Sequence, residues 1–457
     1  MSETTLIIFG ATGDLTKRLL LPALGQLLDG EPDRQVHLVG VGRSERADDD
    51  WRSEVREAFG SDAGPAASAL AGETVYRQGD LTKSADLTRL LGEAKGRPVL
   101  YFAVPAAITQ RSCEALRDVN IPDGTILVSE KPFGTDEAGA HALNELLTEL
   151  VPERQVFRVD HFLGQSVLLD LLSVRFANRM FEPVWSADHI ESVVIRYDED
   201  LGLEGRADFY EKTGALRDMV QSHLLQLLSV VAMDSPASLG ERDLRDATGA
   251  ALRAVQIWDD DPVAHSRRAR YTAGEAGGKH LPSYVDEDGV DPSRNIETLA
   301  EATFEVRTAR WQGVPFTLRS GKALEPATKE IALTFRPVRH LPEQFGSTVA
   351  PNVLRLRFSP DVMRVELNIH DGANPFEIKA IGFDADLGHG SLRAYAEVLS
   401  GILDGDATLA VRGDAAEQCW RIVQPVIDAW NAGKVPLEEY PAGSSGPESW
   451  PRLGAGS

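Results

Sequence analysis

Cysteine is nearly absent: the 457 residues hold 2, Cys113 and Cys419. They lie far apart, with neither metal-ligand spacing nor a disulfide framework, and are expected to be reduced and structural. Long apolar runs are missing too. None approaches the roughly 18 residues that a membrane helix needs. Met1-Ser2-Glu3 leads straight into a strand without a charged-then-apolar leader, so a cytoplasmic protein with no membrane partner is expected. Positive charge is scarce, since 47 Lys and Arg against 70 Asp and Glu leave a formal net charge of -23. That balance argues against nucleic acid or an anionic membrane as partner. A local cluster of Lys, Arg and His can still hold a phosphate. Internal repeats and low-complexity linkers are lacking as well. The chain is too long for one ordinary core, and roughly two to three domains are expected.

What is present begins with Leu6-Ile7-Ile8-Phe9, a continuous apolar run suited to a central parallel strand covered on both faces. It breaks into Gly10-Ala11-Thr12-Gly13-Asp14-Leu15-Thr16-Lys17-Arg18 and then enters a helix. Gly10 and Gly13 let the backbone turn tightly and approach a pyrophosphate, whose charge a helix N-terminus favours. The spacing is GxxG, not GxGxxG, and a plain strand-turn-helix would use the same glycines. A second strand, Val36 to Val41, ends in Gly42-Arg43-Ser44. An acid there would accept from a ribose 2′-hydroxyl, whereas an arginine accommodates a 2′-phosphate. Arg43 therefore favours NADP, with NAD admitted; an exposed arginine with no role is the plain alternative. A further strand ends at Pro105. Ile126-Leu127-Val128-Ser129 then leads into Glu130-Lys131-Pro132-Phe133-Gly134, where Lys131 is placed to reach between cofactor and substrate.

The stretch Arg158-Val159-Asp160-His161-Phe162-Leu163-Gly164-Gln165 is the centre of the reading. The preceding run reads as a buried strand, and the spacing from Ser166 onward is helical. Asp160-His161 would sit where a strand gives way to a helix, a common place for chemistry in an α/β protein. A histidine that merely caps the helix is the plain alternative. From Ile190 the texture becomes strand-rich, and alternation in Val353–Phe358 and Val365–Ile369 suggests an antiparallel sheet with one wet face. A strong helix carries Asp218 and His223, five residues apart and so about 140° around an α-helix. Arg319-Ser320-Gly321-Lys322 places a lysine on a turn. Helices are expected from about Leu392 to Leu403 and from Ala415 to Asn431.

These residues resemble the glucose-6-phosphate dehydrogenase family along essentially the whole chain. The matching blocks are GATGDLTKR at Gly10, EKPFG at Glu130, RVDHFLG at Arg158, RFAN at Arg175, Gly202 to Pro236, RWQGVPF at Arg310, RSGK at Arg319 and GSSGPES at Gly443. The resemblance implies an α/β Rossmann-like dinucleotide-binding domain over 1–160. It implies a large α+β domain on a mainly antiparallel sheet over 161–457, usually pairing through that sheet into a homodimer or homotetramer. It also implies oxidation of C1 of glucose 6-phosphate to the 1,5-lactone with hydride transfer to NADP, within the pentose phosphate pathway. His223 would take the proton from the anomeric hydroxyl, and Asp160 would orient that histidine and stabilise its charge. His161 would contact the phosphate. Lys131 would lie between sugar and nicotinamide, with Pro132 setting its position. Glu199, Asp218 and Lys322 would bond the sugar hydroxyls. The cofactor would rest on Gly10, Thr12, Gly13, Asp14, Leu15, Arg43, Ser44 and Lys131. No metal is expected.

The departures bear on the substrate. Where the family reads DHYLGK, this chain has Phe162 and Gln165 at the two phosphate-binding positions. Losing a hydroxyl and a cation would cost several kcal/mol against a dianion, at roughly 1.5–3 kcal/mol per charge-assisted bond. One reading keeps glucose 6-phosphate, with His161 and either Lys329 or Arg175 supplying charge. The other is an aldose 1-dehydrogenase for a sugar lacking or altering the 6-phosphate. A homologue that has lost catalysis and serves as a regulator is a third reading. It is disfavoured by the retained Lys131, Asp160 and His223.

Overall fold

A computed structural model describes residues 3–345, 349–372, 376–388 and 393–453. Two compact units account for the chain: Met1–Gln165 with Pro236–Gly249 and Gly390–Trp420, and Ser166–Ser235 with Ala250–His389 and Arg421–Ser457.

The first unit is built on six parallel strands: β1 (Thr4–Phe9), β2 (Val36–Gly42), β3 (Val75–Gln78), β4 (Arg97–Phe102), β5 (Ile126–Glu130) and β6 (Val156–Val159). Their order is β3-β2-β1-β4-β5-β6, so the sheet reverses direction of growth between β1 and β4. In such sheets ligands bind outside the carboxyl ends of the strands at that reversal. Alternation along β1 divides the core. Leu6 and Ile8 face a cluster that includes Leu24, Leu28, Trp51 and Leu70, while Ile7 and Phe9 face Leu87, Leu100, Cys113 and Leu147. Both faces are therefore covered, which is why β1 is apolar throughout rather than alternating.

One piece of this unit comes from far along the chain. The helix Ala394–Asp404 adds Ala396, Leu399, Ile402 and Leu403 to the first cluster. The buried Arg34 pairs with Asp404 at 2.9 Å, and Arg97 donates to the Leu403 carbonyl. Leu392, where a helix was expected to begin, lies outside the described residues.

The second unit carries β7 (Ile190–Asp198), β8 (Val255–Ile257), β9 (Ser266–Thr272), the hairpin β10 (Gly274–Ala276) and β11 (Lys279–Leu281), then β12 (Leu299–Val306), β13 (Phe316–Gly321), β14 (Lys329–Phe335), β15 (Val353–Arg357), β16 (Val362–His370), β17 (Ile378–Asp386) and β18 (Leu437–Pro441). All but the hairpin join one sheet in the order β17-β16-β15-β14-β7-β13-β12-β9-β18, with β8 also on β12. Most pairs are antiparallel, as alternation suggests. β7 with β13 and β9 with β18 are parallel, so the sheet is mixed. Its β17 edge is wet: Leu367, Ile369 and Phe383 are 40%, 39% and 54% exposed.

Candidate active site

The carboxyl ends of β1 and β2 form the first cluster of candidate residues. Gly10 has φ +83°, and a Cβ there would lie 2.2 Å from the Ala103 carbonyl oxygen of the neighbouring strand end, so only glycine fits. The Gly13 amide donates to Gly10 O at 2.9 Å and Thr16 Oγ1 donates to the same oxygen at 3.1 Å. The chain then enters a helical run, Thr16–Leu20 continuing as Leu21–Gly30. Thr12 and Asp14 are exposed, and Gly13 and Leu15 half-buried. A backbone turn that opens a helix at the sheet's reversal point suits a pyrophosphate. Arg43 and Ser44 follow β2, both exposed. Their backbone is fixed by Gln78 Nε2 donating to Arg43 O at 2.8 Å and Tyr76 Oη donating to Ser44 O at 3.1 Å, which leaves the Arg43 guanidinium on the surface.

The ends of β5 and β6 hold the second cluster. Glu130 is half-buried and accepts from Tyr101 Oη at 2.5 Å. Burial first, and the charge of Asp160 second among the raising causes, push its carboxyl up to about 7. Lys131 follows, half-buried, joined to Pro132 by a cis peptide. Asp160 is 0% exposed and accepts from the Phe162 amide at 3.1 Å. It thereby caps the short helix His161–Gly164. Capping is thus the task of Asp160, not of His161. The His161 ring stacks on Tyr395, centroids 5.4 Å apart and planes 12° apart. Burial, then Glu130 and Asp160, raise the Tyr395 hydroxyl above its ordinary pKa. Gln165 is half-buried just beyond.

In the second unit, strand register places two predicted residues together. The parallel pairing of β7 and β13 sets Asp198 beside Gly321. The next residue of each strand, Glu199 and Lys322, forms an ion pair with Nζ 2.9 Å from Oε2. The Lys322 turn is held by its own amide on Thr298 O at 2.9 Å. Tyr440 Oη donates to Lys322 O at 2.7 Å and shares a 2.9 Å hydrogen bond with Thr298 Oγ1.

Asp218 and His223 lie on Leu216–Leu224, a π-helical stretch. The Leu225 amide reaches Val220 O, five residues back. The expected separation of about 140° presumed an α-helix. In an i→i+5 helix, residues five apart stand about one turn apart on nearly the same face. Asp218 is half-buried and His223 is buried. This helix is capped by Glu297, whose Oε1 accepts from the Leu216 amide at 3.0 Å.

Arg175 does not supply phosphate charge. It is 5% exposed. Its guanidinium donates to the carbonyls of Val230 and, at 2.6 Å, Met233. These carbonyls lie at the end of the helix Leu225–Ala232. Lys329 sits over the Tyr197 ring, 4.6 Å from its centroid. Sequence reasoning missed Tyr101, Tyr395 and Tyr440, whereas Glu130 stood within a motif already singled out.

Family models match both parts of the chain. "Glucose-6-phosphate dehydrogenase, NAD binding domain" covers residues 7–169, and "Glucose-6-phosphate dehydrogenase, C-terminal domain" covers 172–456. The chain belongs to the glucose-6-phosphate dehydrogenase family. Among curated members, the glucose-6-phosphate 1-dehydrogenase of Gluconobacter oxydans is 37% identical over 98% of this chain and 95% of its own. That of Bacillus subtilis is 32% identical over 98% and 95%. The crystal structure of glucose-6-phosphate 1-dehydrogenase from Mycobacterium avium superposes with a TM-score of 0.86 at 33% identity, covering 98% of this chain and 96% of that one. A glucose-6-phosphate dehydrogenase in complex with glucose 6-phosphate gives a TM-score of 0.88 at 27% identity and the same coverage. Membership makes the protein an oxidoreductase of a family that uses NADP, with a Rossmann-like first domain and a large mixed-sheet second domain. No helix among the described residues is long and apolar enough to cross a membrane.

Proposed function

We propose that this protein oxidises C1 of glucose 6-phosphate to the 1,5-lactone with NADP as acceptor. The observation carrying this reading is the match of both family domains, together with likeness at 27% identity to a dehydrogenase solved with that sugar phosphate. The aldose 1-dehydrogenase alternative is not favoured, because the curated relatives named above are glucose-6-phosphate 1-dehydrogenases. In this proposal residues 1–160 hold the dinucleotide, and residues 161–457 hold the sugar and mediate self-association.

The first βα turn fits a nicotinamide dinucleotide by its steric demand for glycine at Gly10 and by the helix opening behind it. Gly10, Thr12, Gly13, Asp14 and Leu15 would cradle the pyrophosphate, and Arg43 and Ser44 the 2′-phosphate. NADP, when bound, accepts the hydride from C1. Oxidation releases one proton from the C1 hydroxyl, and His223 is the proposed base that takes it. Asp160 is the acid that holds the imidazole in the correct tautomer and offsets its positive charge once protonated. Lys131 borders sugar and nicotinamide. Glu199 and Lys322, held as a pair by strand register, and Asp218 orient the ring hydroxyls. His161 and Gln165 face the 6-phosphate.

NADP reduction followed by absorbance, with glucose 6-phosphate and free glucose titrated side by side, tests this. Preference for the phosphate by orders of magnitude in kcat/KM supports it, and preference for free glucose overturns it. We further propose cytoplasmic residence and a homodimer or homotetramer through the second unit's sheet. The exposed Leu367, Ile369 and Phe383 support the latter. Light scattering on the intact chain reads the mass directly, and a monomer at micromolar concentration overturns the assembly.

A further inference from the structure

Beside the Arg43-Ser44 turn lies an ion cluster that the reading above does not use. Glu54, on the helix Asp48–Phe59, is paired with two cations at once. Arg46 Nη1 contacts its Oε1, and Lys17 Nζ is 3.3 Å from its Oε2. Lys17 belongs to the helix that opens after the glycine turn, with its amide on Gly13 O at 3.1 Å. Arg46 follows Ser44 closely and lies over the Tyr76 ring, 5.8 Å from its centroid. The Tyr76 hydroxyl bonds the Ser44 carbonyl. Tyr76 thus ties Arg46 to the turn where a ribose 2′-substituent would arrive. The cluster is open to water on the cation side, with the Lys17 side chain 40% exposed and those of Arg46 and Glu54 25% exposed.

Two cations next to a phosphate position would ordinarily be read as its ligands. Here each is already satisfied by one carboxylate. A phosphate dianion must compete with Glu54 for them, and it meets the repulsion of that carboxylate at the same distance scale. A ribose carrying a free 2′-hydroxyl bears no such charge and suffers no such penalty. We propose that Glu54 is a specificity-determining residue that restrains the preference for 2′-phosphorylated dinucleotides, so that NADP binds less selectively over NAD than Arg43, Arg46 and Lys17 would otherwise permit. This rests on the cofactor placement proposed above.

The test is isothermal titration of the intact protein with 2′,5′-ADP and with 5′-AMP, which differ in the 2′-phosphate and need no turnover. The quantity read is the ratio of the two affinities. Glu54→Gln keeps the shape and removes the charge, and is expected to raise the 2′,5′-ADP preference about tenfold. Arg46→Gln is expected to lower it by a similar factor. Glu57→Gln, an exposed site on the same helix, removes the same net charge and is expected to change the ratio less than about twofold. A ratio unchanged in Glu54→Gln, or an equal rise in Glu57→Gln, overturns the proposal. Arg43→Ala separates the two levels. If it weakens 2′,5′-ADP while Glu54→Gln has no effect, the cofactor site stands and the role of Glu54 falls. If Arg43→Ala also has no effect, the cofactor placement falls with it.

Discussion

In the first unit β1 is buried along its whole length, whereas in the second β16 and β17 leave large apolar side chains in solvent. The candidate polar groups follow the same contrast. At the ends of two strands of the first unit, the half-buried Glu130 and the buried Asp160 repel each other. Burial raises the Glu130 carboxyl to about 7, and the hydrogen bond from the Tyr101 hydroxyl works against that rise. In the second unit the corresponding acid, Glu199, meets Lys322 because two parallel strands end in register. Glu130 meets burial with a raised carboxyl pKa, Glu199 with a cation. They should therefore respond differently to pH and to isosteric substitution.

The largest expected effect concerns the proposed proton-handling residues. His223→Asn should lower kcat on the order of a thousandfold or more, with KM for the sugar phosphate changed only a few-fold. Asp160→Asn should do nearly as much, and the double variant should be no worse than His223→Asn alone. Additive losses would show two independent roles instead of one proton-handling pair.

The next effect isolates Glu130. The folded state binds the Glu130 proton more tightly than the unfolded chain, so its stabilising contribution is full below about pH 4.5 and fades as pH rises through about 7. The wild type should lose up to roughly 3 kcal/mol from this site between about pH 5 and pH 8. Chemical denaturation of Glu130→Gln over the same range should show a flatter profile. Identical profiles would mean that Glu130 is ionised in the fold.

Gly10→Ala should cost about 2 kcal/mol or more in stability, because φ +83° and the 2.2 Å approach to Ala103 O both oppose a Cβ. Nucleotide affinity should fall with it, and an unchanged melting temperature would count against the tight turn. The smallest effect concerns the phosphate. Phe162→Tyr combined with Gln165→Lys should raise kcat/KM for glucose 6-phosphate about tenfold. No gain would show that the phosphate is already fully held by other groups.

Much of this was legible in the sequence, for identifiable reasons. Fully apolar strands such as Leu6–Phe9, broken by glycines before a helix, announce a covered parallel sheet, and the motifs at Glu130 and Arg158 stand at its strand ends. The pairing of Glu199 with Lys322 was not legible, since register between strands more than a hundred residues apart leaves no local pattern. The π-helical stretch at Asp218 and His223 was missed because hydrophobic spacing over so few residues does not separate 3.6 from a wider turn. Arg175 was misread as an available cation because a buried arginine that caps a helix looks the same in sequence as one that binds phosphate.

The return of the helix Ala394–Asp404 to the first unit has a consequence for synthesis. Leu24 and Leu28 wait for partners that the ribosome makes only at Leu399 and Ile402. At about 10 residues per second the delay after residue 165 is on the order of twenty seconds. During that interval the nascent first unit presents an apolar helix that Trp51 and Leu70 cover only in part. Chaperone occupancy on the growing chain should be concentrated there, and fragments ending before Asp404 should aggregate rather than fold into a smaller version of the same unit.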